Sequence, residues 1–173
     1  MNIRVKYLIG AVAVAALCLF VGCKVSYSLS GASIPANAQT VSIAYFPNNA
    51  TLVAPSLSST LTQGLQDRFI SQTRLALVPE NGDLAFEGAI TNYVVSPTSV
   101  QSDELAAQNR LTVTVQVSFT NRIDPTFNFT DKSFSAFLEY DATMDLSSAE
   151  AALIPELVDM LVEDIFNAAV SNW

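Results

Sequence analysis

Histidine is absent from this 173-residue chain, which removes the side chain that most often acts as general base near neutral pH and most often ligates a metal. Cysteine is nearly absent too: only Cys18 and Cys23 occur, both within the first 23 residues. Everything after them lacks a thiol for a disulfide, a zinc site or a covalent nucleophile. Charge is sparse, 14% of residues against roughly 25% in ordinary soluble domains. The few charges lean acidic, with 8 Lys and Arg against 16 Asp and Glu. A chain of that balance, with no basic tract, has no means of binding nucleic acid through its phosphates. A glycine-rich phosphate loop is missing as well.

Carboxylates are the remaining candidates for chemistry. Asp103-Glu104 and Glu163-Asp164 are adjacent pairs, and neighbouring residues on a helix diverge in direction, so neither forms an acid and base couple. Asp141 and Asp145 lack the glycine and repeated ligands of a calcium loop. All read as solvated surface, and the expectation is a noncatalytic protein without metal or cofactor. Asn49-Ala50-Thr51 and Asn128-Phe129-Thr130 match the N-glycosylation pattern, a short motif that by itself assigns no function.

What the chain does have begins at its first residue. Arg4 and Lys6 precede the apolar run Tyr7 to Val21, which closes on Gly22-Cys23. The run is short for a spanning helix, which needs about 20 apolar residues, and it ends on a small residue before a cysteine, as a secretion signal does. Residues 1–22 are therefore expected to be a lipoprotein signal peptide, cleaved after Gly22. Cys23 is expected to carry the lipid, because a thiolate is the nucleophile that can accept a diacylglyceryl group. Phe20 stands where such a motif usually has leucine. Two or three acyl chains, at about 0.8 kcal/mol per buried methylene, would hold the protein to a bilayer. Losing Arg4 and Lys6 leaves six basic residues against 16 acidic ones, a balance of −10 over residues 23–173. That length fits one domain with a sizeable core. Its surface should be rich in Ser, Thr, Asn and Gln, as suits a protein enclosed by another, including the polar lumen of an outer-membrane barrel.

Hydrophobic periodicity lays out the domain. Lys24 to Ser33 alternates around Val25, Tyr27 and Leu29, a possible first strand. Val41, Ile43 and Tyr45 alternate with small residues and predict a strand that ends at Pro47. Ser56 is a predicted N-cap, followed by Leu57, Leu61, Leu65 and Phe69 on one stripe of a helix reaching Gln72. Gly64 on that side points to close approach of a sheet. Arg74 to Val78 and Asp83 to Val95 flank Pro79-Glu80-Asn81-Gly82, whose Asn-Gly pair predicts two hairpin-linked strands. Leu111, Val113, Val115, Val117 and Phe119 alternate with polar residues in the strongest strand pattern of the chain, and Phe134, Ala136, Leu138 and Tyr140 repeat it. Ser147 and Glu150 have capping-box spacing before a long amphipathic helix that Pro155 should bend or restart, and Trp173 continues its apolar stripe. The sum is an α+β two-layer sandwich: a four-to-five-stranded, mostly antiparallel sheet with two helices on one face. The opposite face, rich in Thr, Ser and Gln, is left as a docking surface.

Arg68 and Arg74 near the end of the first helix suit its dipole. Arg110 and Arg122 bracket the longest strand pattern and are the residues from which an anion contact would be made, since phosphates need guanidinium or ammonium donors.

Several stretches also resemble a known family. Ser28-Leu-Ser-Gly-Ala-Ser-Ile-Pro35, Tyr45-Phe-Pro-Asn-Asn49, Leu65-Gln-Asp-Arg-Phe-Ile-Ser-Gln-Thr73, Gly82-Asp-Leu-Ala-Phe-Glu-Gly88, Asn109-Arg-Leu-Thr-Val-Thr-Val115 and Ile165-Phe-Asn-Ala-Ala-Val-Ser-Asn-Trp173 resemble the lipopolysaccharide-assembly lipoprotein family LptE, in a divergent branch. The resemblance implies a two-layer lipoprotein in the inner leaflet of the outer membrane that plugs the LptD barrel, the pair placing lipopolysaccharide in the outer leaflet. No matching motif carries over the family's lipopolysaccharide contacts. The rival expectation is a periplasmic lipoprotein that binds an amphiphile as shuttle or sensor.

Overall fold

The computed structural model describes residues 34–35, 37–98 and 107–170; the expected leader, Cys23, the possible strand at Lys24 to Ser33 and Trp173 lie outside them. The elements, in order, are β1 (Thr40–Ile43), α1 (Leu57–Gln72), β2 (Ala76–Leu77), β3 (Leu84–Thr98), β4 (Gln108–Asn121), β5 (Phe129–Asp141) and α2 (Leu146–Val170). Five strands form one sheet in the order β2-β1-β3-β4-β5. The meander β3-β4-β5 is antiparallel, as the alternating patterns predict, whereas β1 runs parallel to both of its neighbours.

Alternation places one face of the meander in the core. Leu111, Val113, Val115, Val117 and Phe119 are all buried, and so are Phe86 and Ile90 of β3 and Phe134 and Ala136 of β5. A register shift between Ile90 and Asn92 changes the phase of β3, so that Tyr93 takes the next inward position. Both helices cover this face. Leu57, Leu61, Leu65 and Phe69 of α1 and Leu157, Leu161 and Ile165 of α2 are fully buried. Phe69 is the meeting point of the layers, with ring centres 4.8 Å from Phe86 and 4.9 Å from Phe166. Burying rings and branched aliphatics at about 1.5–3 kcal/mol each is the main force assembling the sandwich.

The two helices run parallel. Gly64 lies against Val158 and Val162, Arg68 reaches Glu163, and Phe69 meets Phe166, so positions rise together along both. The glycine expected to admit a sheet admits this helix instead: a Cβ there would stand 3.2 Å from Val158 Cγ1 and 3.3 Å from Val162 Cγ2.

Three local expectations are corrected, and of the two alternatives at Pro155 the restart is excluded. Ser56 occupies the N-cap of α1, but its side chain makes no cap; its carbonyl accepts from the hydroxyls of Ser59 and Thr60. The start of α2 is capped by Asp145, whose Oδ1 accepts from the Ser148 amide at 3.0 Å, and Glu150 turns away from the helix end to accept from the Tyr93 hydroxyl at 2.6 Å. Pro155 lies inside α2 without restarting it. Tyr45 does not share the inward face: β1 ends at Ile43, the chain continues beside β3 through the Ile90 N–H to Pro47 carbonyl bond, and the phase changes so that Phe46 is fully buried while Tyr45 is 63% exposed.

The largest correction is topological. β2 and β3 are not a hairpin, because β1 lies between them. Asn81 and Gly82 do turn the chain, with Asn81 at φ 59°, but they carry it across β1. A Cβ on Gly82 would fall 2.5 Å from the Ser42 nitrogen and 2.8 Å from the Val41 carbonyl carbon, a distance only glycine permits.

Candidate functional site

The sheet face away from the helices is uncovered among the described residues. Its middle rows are mostly hydroxyl and amide side chains: Asn92, Thr114 and Ser135 stand side by side in register, as do Gln116 and Ser133, with Ala89 completing their row. Thr114 and Ser135 share a hydrogen bond of 3.1 Å. One row departs from this, with Val94 and Phe137 on either side of Thr112, 39% and 49% exposed. Arg110 lies over the Phe137 ring, 4.3 Å from its centre, and pairs with Glu139 at 2.7 Å. That Arg on an aromatic ring is the kind of group that dominates protein interfaces.

At the opposite end of the same face the crossover stands over β1 and is pinned from several sides. Val78 donates its N–H to the Val41 carbonyl, and the Gly82 N–H reaches Ser42 Oγ at 3.1 Å. This explains why Ser42 is buried although it faces away from the helices. Asp83 Oδ2 accepts from the Gln39 amide at 2.8 Å and from the amide and hydroxyl of Thr40 at 2.9 Å each. The Gln39 amide, then the Thr40 hydroxyl and amide, with Arg122 nearby, hold the Asp83 carboxyl below the usual carboxylate range. Arg122 spends both terminal nitrogens on the turn, donating to the Asn81 carbonyl and to Asn81 Oδ1 at 3.0 Å each.

Between this crossover and the sheet lies a cleft of about 410 Å³ whose lining includes Ser42, Ala44, Pro79, Glu80, Ala85, Phe86, Glu87, Thr120 and Arg122, within the few-hundred-Å³ range of ligand sites. Neither Glu80 nor Glu87 makes an ion pair among the described residues.

Arg110 and Arg122, expected at the ends of the long strand, are thus placed at opposite ends of the face, each held by a partner of its own. Arg68 lies 5.6 Å from the centre of the Phe166 ring and 3.8 Å from Glu163, while Lys132 sits over Phe129 and Phe134. Sequence reasoning did not find the cleft, since Ser42, Glu80, Glu87 and Thr120 come from four segments that only the inserted β1 brings together. Asp83, just ahead of a strand and directly after the Asn81-Gly82 turn signal, was the one hint of a clamp.

The LptE profile, described as lipopolysaccharide-assembly, matches residues 38–169. This chain belongs to the LptE family. LptE proteins are noncatalytic assembly lipoproteins of the cell envelope, and the match spans the whole described sandwich. Among solved structures, lipoprotein B from Nitrosomonas europaea is similar at 14% identity and TM-score 0.50, covering 84% of this chain and 88% of that one. A protein described as a neuraminyllactose-binding hemagglutinin homolog from Helicobacter pylori aligns at 12% identity and TM-score 0.51, over 82% of this chain and 88% of that one. The hypothetical protein CT253 from Chlamydia trachomatis aligns at 7% identity and TM-score 0.51, over 78% and 99%. At such identities these likenesses speak to the LptE-type fold alone. No curated protein matches the chain.

Proposed function

We propose that this LptE protein is acylated at Cys23 after removal of residues 1–22, is held on the periplasmic side of the outer membrane, and occupies the lumen of an LptD-type β-barrel. There it supports assembly of the barrel and so the transport of lipopolysaccharide to the outer leaflet. The observation that carries this reading is the uncovered sheet face. Two strands, β4 and β5, present Thr112, Thr114, Gln116, Ser118, Ser133 and Ser135 with little charge, the chemistry that matches the polar interior of a wide barrel. Family membership adds the lipopolysaccharide pathway. Among the described residues no helix is long and apolar enough to cross a membrane, so attachment through acyl chains accounts for how the domain would be retained.

The amphiphile-carrier reading gains no support from the cleft, which presents two glutamates and two hydroxyls where an acyl chain needs an apolar tunnel. Arg110 is already paired with a carboxylate, Glu139, and Arg122 is fixed in place by two bonds to Asn81. The test is extraction of the lipidated protein in mild detergent, with identification of what accompanies it. A barrel of roughly 26 strands copurifying in stoichiometric amount is expected; a protein that comes out alone, or with Cys23 unmodified, overturns the proposal.

A further inference from the structure

We propose that the cleft under the crossover is a receptor for one basic side chain, an arginine or lysine, presented by an extended segment of a partner polypeptide that lies along the uncovered sheet face. The charge in the cleft decides the class of ligand. Arg122, the lining cation, donates through both terminal nitrogens to Asn81 at 3.0 Å, whereas Glu80 and Glu87 line the cleft without an ion-pair partner among the described residues. Arg122 keeps its charge, because Asn81 is neutral, but the two carboxylates outnumber it; an incoming anion would meet net negative charge, and an incoming guanidinium or ammonium two free acceptors.

The rest of the lining fits the stem of such a side chain. Ala44, Ala85 and Pro79 supply apolar surface for the methylenes, and Glu80 and Glu87 supply acceptors for the charged head, the two-part environment that Arg and Lys favour. The walls are also preformed. The crossover is tied to β1 through Gly82 and Asp83 and to β4 through Arg122, so little ordering cost remains at binding. Asn81 is held at positive φ within that wall, a conformation that surrounding bonds must sustain. Access is from the side away from the helices, the face that a partner would cover.

The inference does not require the partner to be a barrel, and its test needs none. The full-length lipidated protein, labelled with ¹⁵N in detergent micelles, is titrated with the peptide acetyl-Gly-Thr-Arg-Thr-Gly-amide and with its citrulline counterpart, which keeps the shape and removes the charge. Amide signals of Ser42, Asn81, Glu87 and Thr120 should move with the arginine peptide, with affinity about tenfold or more above that for citrulline, as expected for losing a charge-assisted bond. The exposed pair of changes E80Q and E87Q, whose spectrum outside the cleft should be unaltered, should lower the arginine affinity by a similar factor. Equal binding of the two peptides, shifts centred elsewhere, no binding at all, or indifference to the double change would overturn the proposal. None of these outcomes bears on whether a barrel copurifies.

Discussion

Tyr93 of β3 and Glu150 of α2 are joined by a hydrogen bond of 2.6 Å from phenol to carboxylate, tying the middle of the sheet to the first turns of the C-terminal helix. Tyr93 is almost fully buried; burial, then the bond to Glu150 and the charge of that residue, raise the hydroxyl above its ordinary pKa of 10.0. A raised folded value means that the folded state holds this proton more tightly than the unfolded chain. The bond's contribution is therefore complete below pH 10 and is lost as pH climbs beyond it. Tyr93→Phe should cost about 1 kcal/mol at neutral pH, since Glu150 can be rehydrated in part, and should flatten the alkaline limb of the stability curve. Urea melts of both proteins between pH 7 and pH 11 check this.

Asp145 works in the opposite pH direction. Hydrogen bonds from the Ser147 and Ser148 hydroxyls, then the Ser148 amide, lower its carboxyl to about 2 from 3.8. Its contribution is present above pH 3.8 and disappears as pH falls toward 2. Asp145→Ala should fray the start of α2 and remove that acid-sensitive component; helical circular dichroism followed from pH 6 to pH 2 should show a smaller change for the variant than for the parent.

Gly64 is the contact between the helices. Alanine there gains about 1 kcal/mol of helix propensity but must push back methyls at 3.2 and 3.3 Å, so Gly64→Ala should stay within about 1 kcal/mol of the parent. Gly64→Leu cannot be accommodated and should cost about 1–3 kcal/mol by overpacking. Chemical denaturation of the two variants separates these expectations; a tolerated leucine would mean that the helices are not in contact here.

Gly82 has no such latitude, because what a side chain would meet is the backbone of β1. Gly82→Ala should cost about 2–3 kcal/mol and should loosen the crossover locally, read as faster hydrogen exchange at Val78 and Ser42 than at Val113.

Phe69 sits between Phe86 and Phe166 at the join of three elements. Phe69→Ala should cost about 3–5 kcal/mol, the largest single effect among these substitutions, measured by the midpoint of thermal or urea unfolding.

The meander and both helices were legible because their signals are local. Leu111 to Phe119 alternates over nine residues, and Leu57 to Phe69 keeps a four-residue spacing, so each segment announces its own buried side. The order of strands was not legible. Nothing within Thr40–Ile43 says that it slips between Leu77 and Leu84, and the Asn-Gly turn, correctly placed, serves a crossover as well as it serves a hairpin. The caps failed for a similar reason. Ser56, Ser147 and Glu150 have the right chemistry and spacing, but Asp145 was better placed, and Tyr93, 57 residues away in sequence, competed for Glu150. The cleft was invisible because it exists only once β1 is in place.

The parallel strand β1, second from the edge of the sheet, also sets an order of assembly. The hairpin of β4 and β5 closes over a short stretch between Asn121 and Phe129, whereas Thr40 must find Ala76 and Asp83 across 36 and 43 residues. Long chain closures are slow, so the meander is the natural nucleus and β1 its late arrival, latched by Asp83. With Cys23 acylated as proposed, the attached end of the domain would thus be completed last, leaving that segment free to be handled while the remainder is already solid.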